Sequence, residues 1–530
     1  MSEERLKVDE LVVGAGLTGL VYANVAAAHG RRVAVVEKHT KPGGYATNFD
    51  RKRKFVFDCS LHKITGFGPR GNLQDALERA GLMQHIDFHY YDELTTFIIG
   101  ERRIALPCDG ERLVAALLQH FPHERAALAR FMADVGSYGY QTYMLARVAL
   151  GEHQLDMESF AESRRLARMT AFDYFKAVFS DRQLITLLCS LAINLGVEAM
   201  EADALYFLHF AYTFMLTRKA YVKGSSQYLS DTLARELERR GGTLLLGERL
   251  LGIETASGRV AGAHTRRRRF ETDHIVFTGC PHHVVELLPP AVAVDDFQKK
   301  LDKLEFGLGA FIVYLGLSAP PAAIGMLQSD YLIADEAYLD GAAAGADCPL
   351  RYQRRPLSVS NYHALDASYG YVVQLEILEQ QDDWLDLPRE AYKEKKREIA
   401  EQVINRACRY FPQLRDAIEY MDISTPRTNK KYTNSGGGSS FGYKPVPKRN
   451  VSFLKSPPVD GIQFVGTWVN GAGYEPAMCL GFTAATLRHE KLRKLNEQNQ
   501  QIQPRGHAEH GSTSGSDIRR TEEAAPVLAD

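Results

Sequence analysis

The chain has 530 residues, enough for two or three domains with large buried cores, and its hydrophobic share of 45% and charged share of 24% are typical of a globular protein. Its formal net charge of −1 and its pI near 7.0 create no overall field that would attract nucleic acid or an anionic membrane. We therefore expect no nucleic-acid partner.

Seven cysteines are scattered along the chain without any C-x-x-C pair. This spacing fits neither a zinc site nor a disulfide scaffold, so we expect no metal site and a reducing, cytoplasmic environment. The charged N-terminus leads directly into the first strand, and no signal or transit peptide is recognisable there. The longest uncharged runs, 183–197 and 204–216, are too short to span a bilayer but long enough to dip into one face of it. Peripheral membrane contact therefore stays open.

The first 45 residues follow the pattern of a strand, a glycine-rich turn, a helix and a second strand. The apolar run 11–13 ends in G-A-G-L-T-G at 14–19, and a helical pattern extends from 17 to 29. A second apolar run, 33–36, is closed by Glu37. This pattern predicts a dinucleotide-binding βαβ unit.

Each residue of the turn has a physical role in such a unit. Gly14 permits the tight turn, Gly16 lets the backbone approach the pyrophosphate, and Gly19 lets the helix pack closely on the strand. The N-terminus of the helix, just after Ala15, offers N–H donors and a positive dipole end to the phosphates. Glu37 can accept hydrogen bonds from ribose hydroxyls and would repel a 2′-phosphate, which disfavours NADP. The fingerprint by itself leaves NAD and FAD open.

Three ordered blocks, GAGLTG, VVEKHTKPGGYATNF and FDCSLHKITGFGPRGNL, resemble the phytoene desaturase, carotenoid isomerase and retinol saturase family of FAD-dependent oxidoreductases. In the third block Phe57, Asp58, His62 and Gly66 match the family pattern, whereas Ser60 replaces a glycine. The resemblance extends from residue 8 to about residue 487. It implies an α/β fold, with a Rossmann-like FAD-binding domain of the glutathione-reductase type and a discontinuous α+β substrate domain.

The resemblance assigns further segments to the same cofactor. Residues 221–280 resemble the segment that returns a strand to the flavin adenine, and 461–477 resemble the glycine turn whose N–H groups meet the flavin edge. These segments, together with Gly43 and Gly44, specify FAD over NAD, because a simple NAD dehydrogenase would not need the C-terminal block. The implied cofactor-binding residues are Gly14, Ala15, Gly16, Gly19, Glu37, Lys38, Gly43, Gly44, Tyr45, Leu250, Gly279, Gly466, Thr467, Gly473 and Tyr474.

His62, Tyr474 and Glu475 are the candidate catalytic residues. His62 matches the histidine that the family holds near the flavin, where it would position the ring or act as an acid or base. A structural hydrogen bond to the loop explains His62 equally well. Tyr474 and Glu475 are the other polar candidates near the flavin edge, and an ion pair with a nearby arginine or lysine is the alternative explanation for Glu475.

The domain organisation that we predict is discontinuous. The aromatic-rich helices between 130 and 216 are explained by an ordinary helical core and, for some side chains, by an apolar substrate channel. Beyond Lys491 the composition becomes polar and charge-rich, which predicts disorder. The predicted ranges are 1–100, 215–300 and 455–490 for the FAD-binding domain, 101–214 and 301–454 for the substrate domain, and 491–530 for a disordered tail.

The resemblance implies hydride transfer between flavin and a carbon–carbon bond of a hydrophobic, carotenoid-, polyene- or retinoid-like small molecule. Desaturation is the commonest activity that it implies, while saturation and isomerisation use the same scaffold. An amine-oxidase-like flavoenzyme and a non-catalytic carrier of prenylated proteins are the alternatives on the related fold. Retention of Glu37 and of the segment 471–476 argues against the carrier. The sequence leaves the electron acceptor and the oligomeric state undetermined.

Overall fold

The computed structural model describes residues 4–60, 63–154, 156–340 and 351–502. The described residues up to Arg488 form one compact unit, and residues 489–502 belong to a second. The strands are β1 Glu4–Lys7, β2 Glu10–Val13, β3 Val33–Glu37, β4 Asn48–Arg51, β5 Phe55–Asp58, β6 Ile64–Phe67, β7 Phe88–Tyr91, β8 Glu93–Ile99, β9 Arg102–Pro107, β10 Arg218–Val222, β11 Thr243–Leu246, β12 Gly252–Ala256, β13 Arg259–His264, β14 Arg268–Glu271, β15 Ile275–Phe277, β16 Gly309–Leu317, β17 Asp330–Ala334, β18 Leu357–Asn361, β19 Val372–Glu379, β20 Ile418–Ser424 and β21 Ile462–Phe464.

Helices connect these strands and form a group between β9 and β10. The α-helices are α1 Leu17–Ala28, α2 Asn72–Arg79, α3 Gly110–His120, α4 Arg125–Asp134, α5 Tyr140–Tyr143, α6 Leu145–Ala149, α7 Met157–Leu166, α8 Ala171–Val178, α9 Arg182–Ser190, α10 Ala204–Leu216, α11 Ser226–Arg239, α12 His282–Leu287, α13 Asp295–Leu301, α14 Arg351–Arg354, α15 Tyr362–Leu365, α16 Arg389–Cys408, α17 Leu414–Ala417, α18 Pro426–Thr433, α19 Thr467–Asn470 and α20 Tyr474–Ile502.

A five-stranded parallel sheet has the order β11-β3-β2-β15-β21. At its centre Val12 pairs with Val35 and with Val276, and all three side chains are fully buried. Parallel strands are covered on both faces, which explains why these segments are continuous apolar runs in the sequence. Helix α1 begins directly after the turn that follows β2 and packs against α11. The predicted strand, turn, helix and strand are therefore confirmed.

A seven-stranded mixed sheet has the order β20-β16-β19-β18-β17-β8-β9. Strands β8 and β9 form a hairpin around Gly100. We expected the FAD-binding domain to extend to residue 100, but β8 belongs to this second sheet, because it pairs in parallel with β17 through Tyr331 and Thr96. Residues 94–99 are buried, so β8 is an interior strand whose partners lie far away in sequence.

Smaller sheets complete the structure. Strands β6, β10 and β7 form one, β1, β14, β13 and β12 form another, and β4 pairs with β5 in the hairpin predicted for residues 49–58. Helix α20 continues to Ile502, so residues 491–502, which we expected to be disordered, are helical. Their leucines, lysines, glutamates and glutamines favour helix, and this propensity outweighs the polar composition. The rest of the predicted tail, 503–530, lies outside the described residues.

Among the residues that the structure describes, no helix combines the length and the apolar character needed to cross a membrane. This finding agrees with the short uncharged runs in the sequence, the longest of which supply only α9 and α10.

Glu379, the last residue of β19, is completely buried and lies at the centre of an ionic network. Arg351 donates a hydrogen bond to its carboxylate at 2.6 Å, Arg355 donates at 2.9 Å, and Trp384 Nε1 donates at 3.1 Å. The arginine side chains are only 3% and 1% exposed. Removing one partner from such a network leaves buried charges without compensation, which costs about 3–5 kcal/mol.

Replacing Glu379 with alanine is expected to lower the free energy of unfolding by about 3–5 kcal/mol, because two buried arginines lose their shared, fully buried carboxylate, although Asp383 and Glu198 still pair with them. Urea denaturation followed by circular dichroism measures the change. The matched control is Glu390→Ala, since Glu390 pairs with Lys393 at the surface and its loss should cost less than about 1 kcal/mol. Equal losses in the two variants would contradict the stabilising role of the network.

Candidate active site

A continuous cavity joins the glycine turn near the N-terminus to the glycine turn near the C-terminus. Its wall contains Gly14 and Gly16 from the first turn and Gly473 and Tyr474 from the second. Strands β2, β15 and β21 are parallel neighbours, so their carboxyl ends lie at one edge of the sheet and the loops after them converge. The fold therefore brings the two ends of the chain to one site.

In the first glycine turn, close packing requires glycine at positions 14 and 19, whereas Gly16 borders the cavity. A Cβ at Gly19 would lie 2.0 Å from the Gly14 carbonyl oxygen, and a Cβ at Gly14 would lie 2.5 Å from Thr278 Oγ1. By contrast, a Cβ at Gly16 would meet no atom within 4 Å. Gly16 is the N-cap of α1, and no side chain caps the helix there. The N-terminus of α1 thus faces open space, as a pyrophosphate site requires.

Glu37 lies at the end of β3 in the wall of the same cavity. One of its carboxylate oxygens accepts a hydrogen bond from Ala15 N at 2.9 Å, and the other accepts one from His39 N at 2.7 Å. These contacts fix the carboxylate beside the turn and leave each oxygen a further lone pair for a ribose hydroxyl. Lys38 lies outside the wall, since its ammonium donates to the Lys431 carbonyl at 3.1 Å.

The loop at residues 43–45 forms the next part of the wall. Gly43 N donates to the Ala15 carbonyl at 2.7 Å, so the loop is bonded directly to the glycine turn. Gly43 has φ = 121°, and a Cβ there would lie 2.2 Å from the Ala46 carbonyl oxygen. Only glycine fits this position. Tyr45 Oη donates to the Ser439 carbonyl at 2.9 Å and so connects the loop to the glycine-rich segment near residue 440.

Some of the expected cofactor residues line the cavity, and others lie outside its wall. Gly466 has φ = 106°, and a Cβ there would lie 2.9 Å from Thr18 Oγ1, so it allows the end of β21 to pack on α1. Leu250 is 5% exposed and packs in a hydrophobic core. Ala15, Gly19, Lys38, Leu250 and Gly466 are not part of the wall, which contains Gly14, Gly16, Glu37, Gly43, Gly44, Tyr45, Gly279, Thr467, Gly473 and Tyr474.

Of the three candidate catalytic residues, His62 lies outside the described residues. Tyr474 is in the cavity wall, donates to the Tyr45 carbonyl at 3.2 Å and shares a short hydrogen bond with Ser60 Oγ. Burial raises the pKa of the Tyr474 hydroxyl well above its usual range, so it stays protonated at neutral pH. Tyr474 therefore serves here as a fixed hydrogen-bonding group.

Glu475 is 3% exposed and lies in the cavity wall at the start of α20. Tyr143 Oη donates to Oε1 at 2.5 Å, and Thr65 Oγ1 donates to Oε2. Burial raises the pKa of the carboxyl, while these two hydrogen bonds and the charge of Lys219 act in the opposite direction. No arginine or lysine of the described chain lies within ion-pair distance, so hydroxyl groups satisfy Glu475 in place of the ion pair considered above.

Asp58, a residue of the family motif, organises a second polar cluster. It is completely buried and accepts hydrogen bonds from Tyr221 Oη at 3.1 Å, Tyr369 Oη at 3.0 Å and Ser226 Oγ at 2.8 Å. Gln374 donates to the Asp58 carbonyl at 2.6 Å. The cluster joins β5 to the start of α11 and to β19, so Asp58 positions elements around the site.

The other end of the cavity combines apolar and polar side chains. The helical side of this end contributes Leu191, Ile193 and Phe210, and the seven-stranded sheet contributes Ile312 and Leu332 together with Asp330, Ser358 and Glu376. The aromatic side chains of α10 divide between a hydrophobic core and the cavity wall. Within that helix Phe207 and Tyr212 are buried in a hydrophobic core, whereas Tyr206, Phe210 and Phe214 are in the cavity wall.

Sequence reasoning missed four polar residues of the site: Lys63, Thr65, Tyr143 and Lys219. Tyr143 and Glu475 are 332 residues apart in sequence, and no local pattern could have paired them. Lys219 had a local signal, since a lysine in a strand whose following residues, 220–222, are fully buried is unusual. Thr65 and Lys63 flank the start of β6, and only the sheet pairing brings them beside Lys219.

These observations fit FAD. The uncapped N-terminus of α1 suits the pyrophosphate, the Glu37 carboxylate suits the ribose, and the turn at Gly473 before α20 suits the flavin edge. The cavity is continuous between these points, as an extended dinucleotide requires.

The Gly16→Val variant is expected to fold normally but to carry no flavin. The new side chain enters space that is empty in the protein and that the pyrophosphate needs. Visible flavin absorption of the purified protein measures its flavin content, and its circular dichroism spectrum reports whether it is folded. Gly136→Val is the control, because Gly136 also faces open space but lies outside the cavity wall. Normal flavin content in the Gly16 variant would contradict the assignment of the pyrophosphate site.

Comparison with known proteins supports a Rossmann-like dinucleotide-binding domain in this chain. The model of the NAD(P)-binding Rossmann-like domain matches residues 12–80. Prolycopene isomerase 2, chloroplastic, of an Oncidium hybrid cultivar is 23% identical over 528 residues, which cover 92% of this chain and 86% of that protein. All-trans-retinol 13,14-reductase of Danio rerio is 22% identical over 531 residues, covering 91% and 86%.

Solved structures show the same fold. Cyclohexylamine oxidase from Brevibacterium oxydans superposes with a TM-score of 0.61 at 14% identity, covering 92% of this chain and 99% of that one. An oxidoreductase from Methanosarcina mazei gives a TM-score of 0.60 at 16% identity, with coverage of 91% and 100%. The motifs, the relatives and the fold together show that this chain is similar, over about nine tenths of its length, to prolycopene isomerases and all-trans-retinol 13,14-reductases, and that its Rossmann-like fold is consistent with FAD.

Proposed function

We propose that this chain is an oxidoreductase that uses FAD to act on a carbon–carbon bond of an extended hydrophobic polyene. The observation that supports this proposal best is the shape of the cavity. One end of it is formed by the residues that fit FAD, and the other end lies between apolar helical side chains and a sheet face that presents Ile312 and Leu332 beside Ser358 and Glu376. The two relatives described above are named for prolycopene and for all-trans-retinol, and this agrees with a polyene.

The chain's first task in this proposal is to hold the cofactor. The N-terminus of α1 at Gly16 would bind the pyrophosphate, Glu37 would bind the ribose, and the turn at Gly473 would donate backbone N–H groups to the flavin edge. Bound FAD supplies the acceptor or donor of hydride. The protein contributes orientation and a preorganised set of dipoles around the cofactor.

The chain's second task is to hold an apolar chain and exclude water. Leu191 and Phe210 lie on one side of the cavity, and Ile312 and Leu332 lie on the other. Burying apolar surface contributes about 25 cal/mol for each Å² removed from water, so a long polyene gains much of its binding energy here. Such a lining can contact a hydrophobic ligand along its whole length with few polar contacts. Carotenoids and retinoids, which are long and mostly apolar, would bind in this way.

The chain's third task is proton transfer, and Glu475 is the group that we propose for it. Glu475 lies in the cavity wall, and burial raises the pKa of its carboxyl. A raised pKa favours the protonated carboxyl, and general acid–base chemistry requires a group that holds and releases a proton. Tyr143 and Thr65 fix the orientation of the carboxyl through their hydroxyl groups.

An amine substrate is the alternative on this fold. The cavity wall contains Lys63 and Lys219 but also Asp330, Glu376 and Glu475, so its charges alone do not decide between an amine and a polyene. The names of the two relatives favour the polyene. The similarity to cyclohexylamine oxidase is one of fold.

The direction of the reaction is tested by anaerobic spectroscopy of the flavin-loaded protein. Desaturation, the direction expected from the sequence, predicts that a partially saturated carotenoid precursor bleaches the oxidised flavin. Saturation predicts that a polyene such as all-trans-retinol restores the absorption of chemically reduced protein. Isomerisation predicts a cis–trans change of a polyene, measured by chromatography, without net bleaching.

The Gly16→Val variant is the control for cofactor dependence in these assays. A flavin-loaded protein that does none of the three reactions with carotenoids or retinoids would contradict the proposed function. Purified wild-type protein without flavin would instead favour the non-catalytic carrier.

Glu475→Gln is expected to reduce turnover at least tenfold while leaving flavin content unchanged, because general acid–base groups typically contribute about 10²–10⁴-fold. Tyr143→Phe removes a hydrogen bond that lowers the pKa of Glu475, so the pKa rises and the Glu475-dependent limb of the pH–rate profile moves to higher pH. Steady-state rates measured across pH test both effects. An unchanged profile in Tyr143→Phe, with turnover retained in Glu475→Gln, would remove Glu475 from the chemistry.

A further inference from the structure

Two lysines lie together in the wall of a cavity that is otherwise mostly apolar. Lys219 is on β10, next to the pairing of Ala220 with Ile64 of β6, and Lys63 directly precedes β6. Lys63, Thr65 and Lys219 all line the same cavity. The Lys219 side chain has no exposure to bulk solvent.

Neither ammonium group has a carboxylate partner within ion-pair distance in the described chain. Lys219 Nζ donates to the Thr217 carbonyl at 2.6 Å. Lys63 Nζ donates to the carbonyls of Glu93 and Leu94 at 3.2 and 2.9 Å. An ammonium has three donors, so donors remain on both lysines for a ligand, and neutral carbonyl groups do not cancel the two charges.

Burial of two like charges side by side is costly unless an anion compensates them. Burial lowers the pKa of Lys219 to about 8, and the neighbouring Lys63 charge acts in the same direction. Lys219 therefore remains mostly protonated at neutral pH. The carboxylate that acts on it most, Glu475, is engaged by Tyr143 and Thr65, and its own pKa is raised by burial. The acidic residues nearby act on the two lysines without direct contact, so a bound anion could still form the first ion pair with either ammonium group.

We propose that Lys63 and Lys219 bind a carboxylate at one end of the hydrophobic substrate. This inference rests on the proposed function and adds the substrate's end group to it: the molecule is a polyene acid, with its apolar chain between the helices and the sheet. Two ammonium groups in one cavity wall can donate hydrogen bonds to the two oxygens of a carboxylate.

A carboxylate suits this position better than the alternative end groups. An alcohol or an ester would leave both positive charges uncompensated in a place with little water. A phosphate would bring up to two negative charges close to the other acidic residues of the same cavity. These residues are Asp330, Glu376 and Glu475 in its wall and Glu93 beside Lys63.

The experiment measures binding to the flavin-loaded wild-type protein by equilibrium dialysis. The probes are all-trans-retinoic acid and its methyl ester, and palmitic acid and methyl palmitate. We expect each acid to bind at least about tenfold more tightly than its ester, because the ester keeps the chain and removes the charge. Lys219→Met and Lys63→Met should each reduce this preference to about twofold or less.

Lys223→Met is the matched control, since Lys223 follows the same strand but is 57% exposed and pairs with Asp87 at the surface. It should keep the full preference for the acid. Flavin absorption and the unfolding temperature report whether each variant is folded. If one lysine variant fails to fold, the other still decides the result.

The outcomes separate this inference from the proposed function. Equal affinity for acid and ester in wild-type protein, or an undiminished preference in a folded Lys219→Met or Lys63→Met variant, overturns the carboxylate site. Preference for palmitic acid without any reaction of carotenoids or retinoids supports the site and contradicts the proposed function. Polyene turnover without any preference for acids supports the proposed function and contradicts the carboxylate site.

Discussion

The whole site depends on one close approach, between Gly19 of α1 and the carbonyl oxygen of Gly14. A Cβ at position 19 would lie 2.0 Å from that oxygen, so the absence of a side chain allows α1 to start directly at the end of β2. The helix then presents an uncapped N-terminus to the cavity, and Gly16 leaves the space in front of it open. Ala15 of this turn forms hydrogen bonds with both Glu37 and Gly43, so the positions of these two residues depend on the turn. Nucleotide geometry, loop path and cavity shape all follow from it.

The second glycine turn shows how a parallel sheet joins distant parts of a chain. Strand β21 is next to β15, which is next to β2, so Gly473 lies near Gly16 in space. Helix α20 then begins with Tyr474 and Glu475 at the cavity wall. The start of one helix thereby contributes both a cofactor contact and a buried carboxyl. The position of Glu475 combines burial, which raises its pKa, with two hydroxyl donors that fix its direction.

The cavity contains two kinds of surface with different physical consequences. Leu191, Phe210, Ile312 and Leu332 supply contact without direction, which in the proposed function would bind an apolar chain along its length. Lys63 and Lys219 supply charge at one place, and charge buried in an apolar cavity distinguishes the ends of a molecule. An enzyme that must place one particular bond of a uniform chain next to its cofactor needs one end of the substrate to be held in place. In the proposed carboxylate site, the lysine pair would hold that end and prevent the substrate from shifting along the cavity.

The sequence by itself determined the local elements and the cofactor. The apolar runs that became β2 and β3, the helix α1 and the turn from Gly14 to Gly19 were predictable because neighbouring residues fix backbone conformation and hydrophobic period. The ordered motifs also determined FAD. The placement of β8 in the seven-stranded sheet, the contact of Tyr143 with Glu475 and the pairing of Lys63 with Lys219 were decided only by tertiary structure. Each of these depends on which distant strand or helix lies alongside, and sheet pairing and burial act across the whole chain, where local periodicity carries no information.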